Sequence, residues 1–170
     1  MHEFDPNLCG DTMKLSNNNK SITGGRELQT CYGKQIISSI NNGIYIWKLK
    51  ICGDSGNIWI GIDNAKGLWI HKYFHTLSNR SKYAYNTSSG LLLYRQGRDI
   101  KNLPKFKNND ILTMKLIFND DNDGGILTVK KNNEKEVIAS TKPSSKIARG
   151  DHKKYRFAVS VPYGNFVHIL

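Results

Sequence analysis

Residues 43–62 alternate in hydropathy with a period of two, which a helix of about 3.6 residues per turn cannot accommodate. Tyr45, Trp47, Leu49 and Ile51 fall on one face, Lys48 and Lys50 on the other. After Gly53-Asp54-Ser55-Gly56, a run with turn chemistry, Ile58, Ile60 and Ile62 alternate with Trp59 and Gly61. The pattern predicts two half-buried strands joined as a hairpin, with both tryptophans in the core. The period recurs in residues 110–118, where Leu112, Met114, Leu116 and Phe118 share a face opposite Lys115. It recurs again where Tyr155, Phe157, Val159 and Val161 face away from Arg156, Ala158 and Ser160.

Strands are predicted over 12–15, 21–23, 32–37, 44–51, 57–63, 82–86, 90–95, 111–118, 125–131, 135–140, 155–161 and 165–170. No window of about 11 or more residues carries a helical apolar period, and turn signals recur roughly every 8–12 residues, so the chain is expected to be an all-β sandwich or barrel. Nothing interrupts it as a linker or repeat, and 170 residues suffice for one buried core. Residues 1–170 are therefore read as a single domain. The stretch 66–82 holds aromatics without alternation and is read as an ordered loop.

Composition narrows the function. No apolar run approaches the length of a membrane span, and the first residues lack the basic and apolar regions of a secretory signal. Three cysteines, Cys9, Cys31 and Cys52, are odd in number and far apart, which predicts free thiols in a reducing, intracellular setting. The sequons at Asn19, Asn79 and Asn86 are expected by chance in a chain this rich in Asn, Lys and Ser, and without a secretory signal they are discounted. The Asn, Lys and Ile richness itself reads as compositional bias. Net charge is +11, which suits an acidic partner. The basic residues of 130–156, nine against three acids, are spread over several strand ends and form no basic helix. That argues against a nucleic-acid partner.

Taken in order, several segments resemble the SPRY (B30.2-like) domain over nearly the whole chain. They are Phe4-Asp5-Pro6, the run Leu15 to Thr23, Gly43-Ile44-Tyr45-Ile46-Trp47 and Trp59-Ile60-Gly61-Ile62. Tyr83-Ala84-Tyr85 with Gly90, Asn109-Asp110-Ile111, Gly125-Ile126-Leu127, Lys131-Asn132 and Tyr155 to Val161 follow in the family's order. Two positions depart from it. Lys48 stands where an acid usually follows the strand tryptophan, and Leu116-Ile117-Phe118-Asn119 replaces a Leu-Asp-aromatic-Glu segment.

The resemblance implies a bent sandwich of two antiparallel sheets, of the concanavalin or lectin-like type, with a binding surface made by loops at one rim. It implies a non-catalytic, cofactor-free protein-interaction module, often a substrate receptor of a ubiquitin ligase or a scaffold. Residues 1–170 hold no SOCS box, and three cysteines cannot form a RING, so a ligase activity is expected to come from elsewhere. The nearest likeness is to the peptide-binding SPRY/SOCS-box class. There Tyr73, ahead of Tyr83-Ala84-Tyr85, takes the place of a pocket tyrosine, and Pro162-Tyr163-Gly164 resembles a Val-Trp-Gly turn. Arg26 matches an arginine before the Gly-x-x-x-Trp strand, and Asn57 a pocket threonine. Leu28, Leu77 and Asn165 complete the implied partner-binding set.

Independently of the family, Tyr163 sits between proline and glycine in a turn, where an aromatic is exposed and suited to anchoring a partner. The His71/His75 pair lies on no helix and has no acid or cysteine at ligand spacing, so no metal is assigned. Residues 119–126 have the oxygen spacing of a calcium loop, but Lys130 stands where the bidentate glutamate belongs. An acidic hairpin loop is the better reading. No phosphate loop, nucleophile elbow or supported acid pair is present, so no catalytic residue is assigned. The expected partner is a polar or acidic peptide segment bound by a monomer. The alternatives are a lectin-like carbohydrate binder, although the galactoside signature is absent, and a basic nucleic-acid binder.

Overall fold

In the computed structural model, residues 2–27, 29–38, 43–53, 57–64, 70–72, 83–94, 98–100, 103–118, 125–140 and 154–170 are described. They form strands β1 (Phe4–Cys9), β2 (Lys14–Ser16), β3 (Ser21–Thr23), β4 (Cys31–Gly33), β5 (Ile37–Ser38), β6 (Ile44–Cys52), β7 (Trp59–Asn64) and β8 (Tyr83–Asn86). Then come β9 (Leu92–Tyr94), β10 (Arg98–Ile100), β11 (Ile111–Phe118), β12 (Gly125–Lys131), β13 (Val137–Ser140), β14 (Lys154–Ser160) and β15 (Phe166–Ile169). No helix among the described residues is long and apolar enough to cross a membrane.

The strands make two antiparallel sheets. One has the order β1-β4-β14-β7-β8-β9-β10, with β5 also paired to β14; the other runs β13-β12-β11-β6-β15-β3-β2. The all-β sandwich expected from the sequence is what forms. Between the sheets lies one large core, in which Trp47 of β6 stacks on Phe157 of β14 at 4.7 Å and meets Phe4 of β1 edge-on at 5.6 Å. Leu49, Ile60, Met114, Val129 and Val167 fill the space around them.

One expectation is overturned. Residues 43–62 are not a hairpin, because β6 pairs with β11 and β15 while β7 pairs with β14 and β8. The chain changes sheets between Cys52 and Trp59, and Gly53, directly after β6, has φ +118°. A turn-rich run between two alternating segments reads alike whether it reverses the chain within a sheet or carries it between sheets.

The change of sheet separates the two tryptophans. Ile58, Ile60 and Ile62 point into the main core, which sends Trp59, Gly61 and Asp63 to the opposite face of the same sheet. There Trp59 joins Tyr32, Ala84 and Ala158 in a second, smaller cluster, with Ile70, Leu91 and Leu93 packed against it. Buried Asp63 accepts a hydrogen bond from the Tyr32 hydroxyl at 2.8 Å on this face. Trp59 is therefore buried, but not where the hairpin reading put it.

Two strands lie outside the predicted ranges. β1 carries Pro6 and an irregular register against β4, both tolerated because it is an edge strand. β10, Arg98–Ile100, is too short to show alternation. The predicted strand 32–37 divides into β4 and β5.

Candidate functional site

One end of the sandwich collects the ends of its central strands. Ser160 closes β14 opposite Trp59, which opens β7, and Trp59 in turn faces Asn86 at the end of β8. Cys52 ends β6 beside Phe166, the first residue of β15. The loops leaving these strands form a rim.

Among the described residues of the rim, the β14–β15 turn carries the most exposed aromatic. Tyr163 is 70% exposed at its tip, and Phe166 is 45% exposed just beyond. An exposed aromatic binds well only if its backbone is fixed, and here it is. Gly24 pairs with Tyr163 in a parallel bridge and donates its N–H to the Asn165 carbonyl at 2.9 Å. A Cβ at Gly24 would lie 2.1 Å from the Pro162 carbonyl oxygen, so the close approach requires glycine. Within the turn, the Asn165 side-chain amide donates to the Tyr163 carbonyl at 3.1 Å and to that of Pro162 at 3.4 Å. Gly164 adopts φ +80°, which completes the reversal.

The bridge also brings Arg26 to this corner, exposed two residues beyond Gly24. Gly53 contributes from the other side. A Cβ there would meet the Asn165 side chain, and its N–H donates to Asn108 Oδ1 at 3.0 Å. Asn57 is exposed at the start of the following segment. Leu28, Tyr73 and Leu77 lie outside the described residues, as do His75, the residues 119–124 and the sequon Asn79. Of the predicted partner-binding residues, Arg26, Pro162, Tyr163 and Gly164 lie on one connected corner, with Asn57 on the neighbouring loop. Asn165 shares the corner but is buried at 2% exposure, holding the turn from beneath.

A buried polar network, absent from the sequence reading, ties the rest of the rim together. Gln29 is fully buried, and its Oε1 accepts from the Thr12 N–H at 2.9 Å and the Thr12 hydroxyl at 2.8 Å. Its Nε2 donates to Asp11 Oδ1. That bond is the main cause holding the Asp11 carboxyl below its ordinary range; burial works upward, and His71, whose Nδ1 lies 3.8 Å away, works downward. The Thr30 hydroxyl shares a 2.8 Å hydrogen bond with Ser160 and donates to the Lys72 carbonyl, while the Thr30 N–H donates to the Ile70 carbonyl at 3.1 Å. The segment 70–72, just before Tyr73, is thus fastened beside β14. No local pattern could have shown this, since Gln29 and Asp11 stand 18 residues apart. The only signal is a polar Gln29-Thr30 pair leading directly into a buried strand.

On the neighbouring loop, buried Asn86 accepts four hydrogen bonds from the N–H and hydroxyl groups of Ser88 and Ser89. Its role is to cap the turn after β8. Among the described residues, no three histidine, cysteine or acidic side chains gather as a metal site.

No protein-family model matches the chain, and comparison with curated proteins gives no match. Solved structures do match. The SPRY domain of human HERC1 shares 22% identity over 98% of this chain and 96% of that one, with a TM-score of 0.68. The TRIM65 PSpry domain superimposes with a TM-score of 0.72 at 14% identity, over 99% of this chain and 88% of its own. Stonustoxin matches all of this chain with 28% of its own length, at a TM-score of 0.65 and 17% identity. With two antiparallel sheets, loops gathered at one rim and near-complete overlap in both directions with the HERC1 domain, this chain carries the fold of the SPRY domains.

Proposed function

We propose that the chain is a non-catalytic protein-interaction module that recognises a short polar or acidic segment of a partner through this rim. The observation that carries the reading is Tyr163, exposed on a turn braced by Asn165, Gly24 and Gly53. A rigid aromatic offers large contact area at little entropic cost, which is why such residues dominate interfaces. Arg26, exposed two residues beyond the bridged Gly24, supplies a cation suited to carboxylates or ligand backbone. Phe166 extends the apolar part of the corner. The fold supports the reading, and the net charge of +11 supports an acidic partner. In a larger assembly, such a module acts as a substrate receptor of a ubiquitin ligase or as a scaffold, working as an intracellular monomer.

Calorimetry against a library of extended peptides tests this. Acid-containing ligands are expected to lead the ranking, and Tyr163→Ala to weaken the best one at least about tenfold, the loss typical of a hot-spot residue. An unchanged affinity in a folded Tyr163→Ala protein would place the binding surface elsewhere.

A further inference from the structure

Cys9 ends β1 and Cys31 begins β4, and the two are direct partners across the antiparallel pair. The next rung is the hydrogen bond from the Gly10 N–H to the Thr30 carbonyl, at 3.1 Å. Because antiparallel rungs alternate, Cys9 and Cys31 occupy a non-hydrogen-bonded position. In such a pair the Cα atoms approach to about 4.5 Å, inside the disulfide range of about 4.4–6.8 Å and near its short limit. Both side chains turn toward the main core, Cys31 fully buried and Cys9 half-buried against it. Burial, and then the neighbouring Cys9, push the Cys31 thiol up. Cys52 stands in the other sheet, on β6.

We infer that Cys9 and Cys31 are a modification site, closing reversibly into a cross-strand disulfide that clasps residues 10–12 to residues 29–30. The two residues lie directly beneath the Asp11–Thr12–Gln29–Thr30 network, so the bond would fix the part of the rim that holds segment 70–72. The oxidant is a small disulfide such as oxidised glutathione. The more accessible Cys9 thiolate attacks one of its sulfurs, forming a mixed disulfide and expelling a glutathione thiolate. Cys31 then loses its proton to water and attacks Cys9 Sγ, forming the Cys9–Cys31 bond and expelling the second glutathione thiolate. Two protein thiols supply the two electrons. With Cys9 half-buried, the bond stays within reach of reducing thiols, which is the character of a labile disulfide. The clasp concerns the covalent state of the rim and stands whether or not Tyr163 binds a partner.

The test is equilibration of the folded chain in glutathione buffers of rising potential, followed by alkylation and peptide mass mapping. A Cys9–Cys31 cross-linked peptide is expected, reversed by dithiothreitol, retained in Cys52→Ser and lost in Cys9→Ser. Amide hydrogen exchange at residues 10–12 and 29–30 is expected to slow at least about threefold in the oxidised form. Persistent glutathionylation of Cys9 without transfer to Cys31, or a link to Cys52, overturns the proposal. So does a chain that stays reduced in the most oxidising of those buffers. A disulfide that leaves those amides unchanged overturns the clasp. The wild-type mass map carries the result even if the variants fold poorly.

Discussion

Asp110 joins three pieces of chain at the rim end of the seven-stranded sheet. Its carboxylate accepts from the Lys107 N–H at 2.7 Å and from the Asn132 side chain at 2.8 Å, with Lys131 at 3.1 Å. Asn132, in the left-handed region at φ 47°, also accepts the Ile111 N–H at 2.7 Å. Burial works upward on Asp110, but these hydrogen bonds and the Lys131 charge outweigh it and hold the carboxyl below its ordinary value. A depressed value in the folded state gives stability that is fully present above the unfolded value of about 3.9 and lost as pH falls through the folded one. Asp110→Asn should therefore cost about 1–3 kcal/mol at neutral pH. The gap from wild type should shrink as thermal melts are taken below about pH 3.9, and a gap that stays constant into acid would show the carboxylate is not the source. These residues were legible as family markers, not as a clasp. The asparagine abundance likewise read as compositional bias, yet Asn17, Asn18, Asn19, Asn109 and Asn132 all hold left-handed conformations at turns. Asparagine is among the few residues that adopt them readily.

Elements were read best where the pairing is local. β11 and β12 fall on their predicted ranges because each alternates clearly and pairs with its neighbour in sequence. β6 and β7 alternate as clearly, yet their partners are distant, and the sequence assigned them to each other. Alternation says that a strand has a buried face; it does not say against which sheet the face is buried. The consequence is measurable in the two tryptophans. Trp47 is enclosed between the sheets by Phe157 and Phe4, whereas Trp59 lies in a small outer cluster beside two alanines. Trp47→Ala should cost about 3–5 kcal/mol in urea denaturation, the usual range for emptying an aromatic site in a core. Trp59→Ala should cost less, because the outer cluster has fewer large side chains to leave unsupported. An equal or larger loss at Trp59 would mean that the outer cluster is a second core.

At the scale of the molecule, the order of the strands in space matters more than their order in the chain. The last two strands occupy the interior of both sheets: β14 lies between β4 and β7, and β15 between β6 and β3. Without them each sheet falls into two pieces, and the main core loses Phe157, Val159, Val161, Val167 and Ile169 together. Neither sheet can close until the C-terminal residues are available, so most native pairing is long-range and folding is expected to be slow, on the order of milliseconds to seconds. The rim depends on the same ending, since Tyr163 and Asn165 lie in the turn between these strands. This arrangement could not be read from local pattern, which shows β14 and β15 as strands like any others. Removing residues 154–170 should leave a chain without a cooperative thermal transition. Trimming an edge strand instead, by deleting residues up to Ser16, removes β1 and β2 from the outer ends of the sheets and should lower the melting temperature while keeping the transition. Calorimetry of the two truncations decides the matter: a cooperative melt of residues 1–153 would mean that the sheets hold together without their central strands.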